Sequence, residues 1–167
     1  MISPFNTPVE TGTRVLVTLA NIEPHALDIN RLVLLDHWLL HSSDFGGPPS
    51  LYPSNPIRAG EFGLKRRDLM LGIEVMLRAG LIDVTAQSDG ICYRANESGI
   101  GFLGLLETAY VRSLANRAAW LATQLNLIAS DSAMRSALAS SLGHWSTELT
   151  NSDLNFSHFG PILEGDR

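Results

Sequence analysis

The sequence predicts a mainly α protein: a winged helix-turn-helix core with a β-hairpin wing, a long Pro/Gly-rich loop and C-terminal helices. Three observations predict it. Two capped segments with apolar residues at helical spacing open the chain. A third such segment runs into Gly80-Leu81-Ile82, and two short β-prone runs joined by a tight-turn signal follow at once. Three helices and then a hairpin is the order of elements in a winged helix, with the hairpin as the wing.

Each element has its own justification. Thr7 with Glu10 makes a capping box and Pro8 presets φ at the first helical position, so a first helix should run from Pro8 to about Asn21. Val9, Thr13, Leu16, Val17 and Ala20 form its apolar face, and Pro24 closes the segment. Asp28 caps a second helix, in which Ile29, Leu32, Val33, Asp36, Leu39 and Leu40 keep a helical period to about Ser42. The stretch Asp44 to Glu61 holds four prolines and three glycines, which rules out regular helix or central strand through most of it. Loops of this length in compact domains tend to be functional or disordered. Leu51, Tyr52, Ile57 and Phe62 are available to anchor this one, so an ordered loop with a binding role is expected.

From Lys65 the helical pattern returns through Leu69, Met70, Ile73, Met76 and Leu77, with Gly80 as C-cap and Gly72 as the weak point. Leu81 to Gln87 and Ile91 to Ala95 read as the strands of the hairpin, with Ser88, Asp89 and Gly90 at the turn. Asn96 or Ser98 caps a helix through Phe102, Leu103, Leu105 and Leu106, and a long amphipathic segment then ends near Leu127 with Trp120, Leu121 and Leu125 inside. Ser130 or Asp131 opens a last helix through Met134, Ala137, Leu138, Ser141, Leu142 and Trp145 to about Leu149. The division is a winged-helix domain over 1–98, a C-terminal helical extension packed on it over 99–150, and a tail over 151–167. That tail lacks periodicity yet carries Leu154, Phe156, Phe159, Ile162 and Leu163, which suits docking on a partner or back on its own domain.

Composition excludes several classes. With 167 residues, 45% of them apolar and 17% charged, the chain suffices for one substantial core. Apolar runs such as Leu32 to Leu35 fall far below the roughly 18 residues that span a bilayer, and the N-terminus lacks a basic cluster followed by an apolar stretch. A cytoplasmic protein with no membrane segment is expected. The lone Cys92, in a strand-like run, reads as a buried structural thiol. Net charge is −5, from 12 basic and 17 acidic side chains, so any nucleic-acid contact must be local.

Catalytic constellations are scarce. His37 and His41, four apart on a helix, could approach one metal ion with Asp36 or Asp44 nearby, but Trp38 stands where a zincin helix needs its glutamate and no third ligand is placed. Packing histidines are the default. No GxSxG nucleophile turn occurs, and Gly99 to Gly104 spells GxGxxG without a parallel βαβ unit around it, so helix–helix close packing is the better reading of those glycines. No catalytic residue, metal or cofactor is expected. The basic cluster Lys65, Arg66, Arg67, with Arg58 before it, lies at or just ahead of the third helix's N-terminus, where cations oppose the helix dipole unless solvent or an anionic partner compensates.

The combination PFNTPVE, LLDHWLLHSSDFGGPPSLYPSNPIRAGE and LMLGIEVMLRAGLI resembles the small middle component of ABC three-component systems, which include the Lamassu-type anti-phage defence operons of bacteria. The resemblance covers about residues 4 to 125. It implies a non-catalytic winged-helix accessory subunit whose partners are an SMC-like coiled-coil ABC ATPase and an effector, commonly a nuclease, with a possible DNA contact within the complex. On this chain it implies a scaffold role for the loop from Asp44 to Glu61 and for Arg58, Arg66 and Arg67. The partner-binding residues expected are therefore Leu51, Tyr52, Ile57, Arg58, Phe62, Lys65, Arg66 and Arg67. A winged-helix transcriptional regulator is the alternative, and its third helix is poorly suited, because after Arg67 and Asp68 it offers only Glu74 and Arg78 as charged side chains for base reading.

Overall fold

A computed structural model of the chain describes residues 6–53, 59–88 and 90–141. Among them the elements run α1 (Pro8–Asn21), β1 (Leu27–Asp28), α2 (Ile29–Leu40), α3 (Ala59–Arg78), β2 (Ile82–Gln87), β3 (Gly90–Ala95), α4 (Glu97–Gly104), α5 (Ala109–Ala122) and α6 (Asp131–Ser141). Single 3-10 turns occupy Ser42–Phe45 and Leu125–Ile128. The protein is mainly helical, with one small antiparallel sheet in the order β1-β3-β2.

Helix α1 is the hub. Its N-cap forms as expected, with Thr7 Oγ1 accepting from the Glu10 amide at 3.2 Å, but the reciprocal half of the capping box does not, since the Glu10 carboxylate accepts from tyrosines elsewhere in the fold. Nearly the whole circumference of α1 is buried, from Thr11 to Leu19 with only Thr13 less so; Val9, expected on the apolar face, is exposed instead. An amphipathic period understates such a helix because neighbours cover it on several sides. Helix α2 is likewise buried from Leu32 to Leu40.

Gly72 is not a weak point but the place where α3 crosses α1. A Cβ on Gly72 would lie 2.5 Å from the Gly12 nitrogen, and a Cβ on Gly12 would lie 2.6 Å from the Gly72 carbonyl oxygen. Two backbones touch there, so both helices use glycine for lack of room. Of the glycines between 99 and 104, only Gly99 packs closely, its Cβ position falling 2.1 Å from the Leu81 carbonyl oxygen; Gly101 and Gly104 face open space.

Helix α3 begins at Ala59, six residues ahead of the expected Lys65, so the loop is shorter and the basic cluster lies inside the helix. Pro56 is the last residue that bars a helix, and Phe62, buried, extends the stripe of Leu69, Ile73 and Met76 by two turns toward the N-terminus. Gly80 ends α3 at φ 71°, as a C-cap should. The hairpin forms with Ile82 opposite Ala95 and Gln87 opposite Gly90. The two-residue β1, pairing Leu27 with Tyr93, was too short to leave a period in the sequence.

Helix α4 is capped by Asn96, whose Oδ1 accepts from Gly99. Helix α5 starts after the Thr108 cap and stops at Ala122, short of Leu127, where the chain tightens into the second 3-10 turn. Arg31 ties α2 to this end, donating to the Ile128 carbonyl at 2.8 Å and to Asp131 at 2.9 Å. The expected continuation of α6 to Leu149 and the tail 151–167 lie outside the described residues. No helix among the described residues is long and apolar enough to cross a membrane.

Candidate functional site

The described part of the Pro/Gly-rich segment is held inward by hydrogen bonds. Arg117 of α5 donates from Nε to the Pro49 carbonyl at 2.8 Å and from a terminal nitrogen to Ser113 at 2.7 Å. Ser42 Oγ reaches the Pro48 carbonyl at 2.7 Å, and the Leu51 and Tyr52 amides both donate to Leu40, at 3.0 and 3.1 Å. Gly47 lies against the Trp120 indole so closely that a Cβ would meet it at 2.6 Å. The loop is thereby a brace between α2 and α5.

Beneath it sits a polar network that the sequence did not reveal. Arg14 and Asp36, both almost fully buried, pair through Nε–Oδ1 at 2.7 Å and Nη2–Oδ2 at 3.3 Å. Glu10 stands beside them: its Oε1 lies 3.7 Å from Arg14 and accepts from Tyr110 at 3.1 Å and from Tyr52 at 3.4 Å. Burial pushes the Asp36 carboxyl up, but Arg14, helped by Lys65, outweighs it and holds Asp36 below its ordinary value. Burial and the neighbouring Tyr52 and Glu10 push the Tyr110 phenol up; Tyr52 is pushed up by burial and by Glu10. Both phenols therefore stay protonated and serve as donors to Glu10.

His37 and His41 lie at the edge of this network, buried, with ring centroids 4.7 Å apart. Phe45 and Phe62 meet His37 edge-on at 5.6 and 6.3 Å. The Nδ1 atoms of both histidines are buried without a hydrogen-bond partner, while His41 bonds the Pro53 carbonyl. Among the described residues no group of three or more His, Cys, Asp or Glu is placed to hold a metal ion. Burial, the Lys65 charge and His41 push His37 down to about 3, against the pull of Asp36; burial and Lys65 push His41 down as well. The pair is therefore neutral at physiological pH.

A pH dependence follows. An unfolded His37 binds its proton near 6.5 while the folded one resists it to about 3, so the unfolded state holds more protons between those values. Stability is thus full above about pH 6.5 and falls as pH drops, by up to about 1.4 kcal/mol per pH unit for one such group. Asp36 adds its own loss only lower, as pH falls below its ordinary 3.8 toward its depressed folded value. Chemical denaturation at a series of pH values should show the decline between pH 6 and 4, and His37→Leu should flatten it.

The residues singled out from sequence end in different places. Leu51 packs on the core, Tyr52 bonds Glu10, and Phe62 is buried at 8% exposure, so all three face inward. Ile57 and Arg58 lie outside the described residues. Lys65 is half-buried, its charge bearing on Asp36, His37 and His41. Arg66 is half-buried beside Tyr93, and burial pushes its guanidinium down. Arg67 is exposed. Cys92 is buried in β3. The clue that could have found the network was a charged residue, Arg14 or Asp36, at a position where the neighbouring apolar residues already filled a face.

Residues 4–148 match the family described as ABC-three component (ABC-3C) system Middle Component 2. No curated protein and no solved structure matches the chain.

Proposed function

The chain belongs to the middle component 2 family of ABC-three component systems, and from that premise we propose that it is a non-catalytic accessory subunit. It binds an SMC-like coiled-coil ABC ATPase and links it to an effector nuclease in a Lamassu-type anti-phage defence complex of the bacterial cytoplasm. The core on which it does so is a winged helix: α1, β1, α2 and α3 precede the β2–β3 hairpin, β1 pairs with β3, and the hairpin is the wing.

One observation carries the reading. In a DNA reader of this architecture the outer face of α3 would enter the major groove with Arg, Asn, Gln or Lys aimed at base edges. Here that face exposes Leu64, Met70 and Leu71 beside Arg67, Glu74 and Arg78, and Glu74 is bound to Arg78. Large apolar side chains in contact with water on a helix of this kind suit a protein partner.

Salt dependence of DNA binding separates this reading from the transcriptional regulator. The isolated chain is expected to bind duplex DNA no more tightly than about 1 to 100 μM at physiological salt, with a shallow slope of affinity against salt, the mark of a few phosphate contacts. Tight, sequence-selective binding with a steep slope would establish the regulator instead.

A further inference from the structure

The hairpin ends the sheet on an open strand. Among the described residues β2 pairs with β3 alone, so the side of β2 away from β3 is an edge. Residues 88 and 89 join the strands, which makes the closing pair, Gln87 opposite Gly90, a hydrogen-bonded one, and the pairs alternate from there. Asp83, Thr85 and Gln87 therefore turn their N–H and C=O groups toward β3. Val84 and Ala86 turn theirs outward, and no backbone hydrogen bond among the described residues takes them up. Edges of this kind are commonly blunted by lysine, proline or a bulge. Strand β2 contains neither residue, and its register to β3 runs without a bulge. Its one charged side chain, Asp83, is met by Arg94 at 3.7 Å and by Asn96 at 3.0 Å.

This edge is complementary to itself. Against a second β2 running antiparallel, with Thr85 on the two-fold axis, Val84 falls opposite Ala86 of the copy and Asp83 opposite its Gln87. Val84 and Ala86 are the residues whose backbone groups point outward, so this register joins them in hydrogen-bonded pairs. No like charges meet, because the two Asp83 side chains stand four residues apart along the paired strands, about 13 Å, beyond the screening length of about 8 Å at physiological salt. One face of the pair is apolar: Val84, 49% exposed, and Ala86 lie on the side of Ile91, 43% exposed, and the copy brings the same side chains to it. On the other face the Thr85 hydroxyl has no hydrogen-bond partner among the described residues. Rotation about χ1 brings it to Thr85 of the copy, at the closest side-chain approach an antiparallel pair provides. The edge carries no unmatched charge to select a foreign strand, and its own sequence supplies every opposing side chain.

We propose that β2 is a self-association edge through which two copies of the chain pair, antiparallel about Thr85, into one continuous six-stranded sheet. Strand addition at an exposed edge is a common recognition mode in which main-chain hydrogen bonds give the affinity. Self-pairing needs this chain alone and goes beyond the accessory-subunit reading.

Sedimentation of the full chain over a range of concentrations tests it. The contact is small, so a monomer–dimer equilibrium with a dissociation constant of about 1 to 100 μM is expected. Val84→Pro is expected to weaken it at least about tenfold and leave the hairpin intact, because the lost N–H points away from β3 and proline is tolerated on an edge. Thr85→Lys and Thr85→Glu each set like charges across the axis, so each alone is expected to associate more weakly than the wild type. An equimolar mixture of those two is expected to associate more tightly than either, which keeps the test decisive should Val84→Pro fail to fold. Leu105→Glu, on a 79%-exposed side chain beyond α4, is expected to dimerise as the wild type does. A wild-type chain that stays monomeric throughout that range would overturn the proposal, as would a dimer that survives all three β2 variants or a mixture no tighter than its components. A monomeric chain that loses another component of the system in Val84→Pro would assign the edge to a foreign strand and overturn the second copy as its occupant.

Discussion

Gly72→Ala is expected to destabilise the protein by about 3 kcal/mol, although in an open helix the same change stabilises by about 1 kcal/mol. The sign reverses because the new methyl would sit 2.5 Å from the Gly12 nitrogen and 3.0 Å from its Cα. Overpacking is mild where the obstacle is the end of a flexible side chain, but here it is backbone on the opposing helix. Relief requires α1 and α3 to separate, and their separation would loosen Leu16, Leu19, Leu69 and Ile73, which are all fully buried. Gly101→Ala supplies the control. Its Cβ would meet nothing within 4 Å, so that change should stabilise by roughly 0.5 to 1 kcal/mol. Denaturant midpoints at unchanged m-value would read both, and equal midpoints for the two variants would contradict the crossing.

The second large effect concerns the buried ion pair. Asp36→Ala should cost about 3 to 5 kcal/mol, because Arg14 would then remain charged inside the core, with Glu10 at 3.7 Å and Asn6 at 3.4 Å from its guanidinium among the described residues. The loss is mostly the stranded charge and not the worth of the pair itself. Replacing both partners, as Arg14→Met with Asp36→Leu, should therefore recover most of it, since well-packed apolar groups often match a buried pair. A double variant no more stable than Asp36→Ala would show instead that the pair positions Glu10, Tyr52 and Tyr110, and with them the loop.

Local chemistry was the part of the fold legible in the sequence. The Thr7 and Asp28 caps, the Asn96 cap offered beside Ser98, the Gly80 terminator and the hairpin are short-range signals, and α1 begins and ends where Thr7, Pro8 and Asn21 imply. What escaped depends on partners distant in the chain. Gly72 reads as a helix breaker until α1 is laid across it. Tyr52 reads as an exposed anchor until Glu10, 42 residues earlier, accepts its hydroxyl. The prolines of the loop argue for order, as the structure has it over residues 44–53, but the clamp from Arg117 comes from 68 residues away and could not be read locally. Exposure of Met70, Val84 and Ile91 was equally hidden, because a period locates apolar residues without saying which of them a neighbour covers.

The central claim, that this chain acts by assembling with an ABC ATPase, is tested most directly by co-expressing it with the system's other components and weighing the purified assembly by native mass spectrometry. The account predicts a stable complex containing this chain and the ATPase component in a fixed ratio. A chain that elutes alone, while the ATPase and effector assemble without it, would contradict the account.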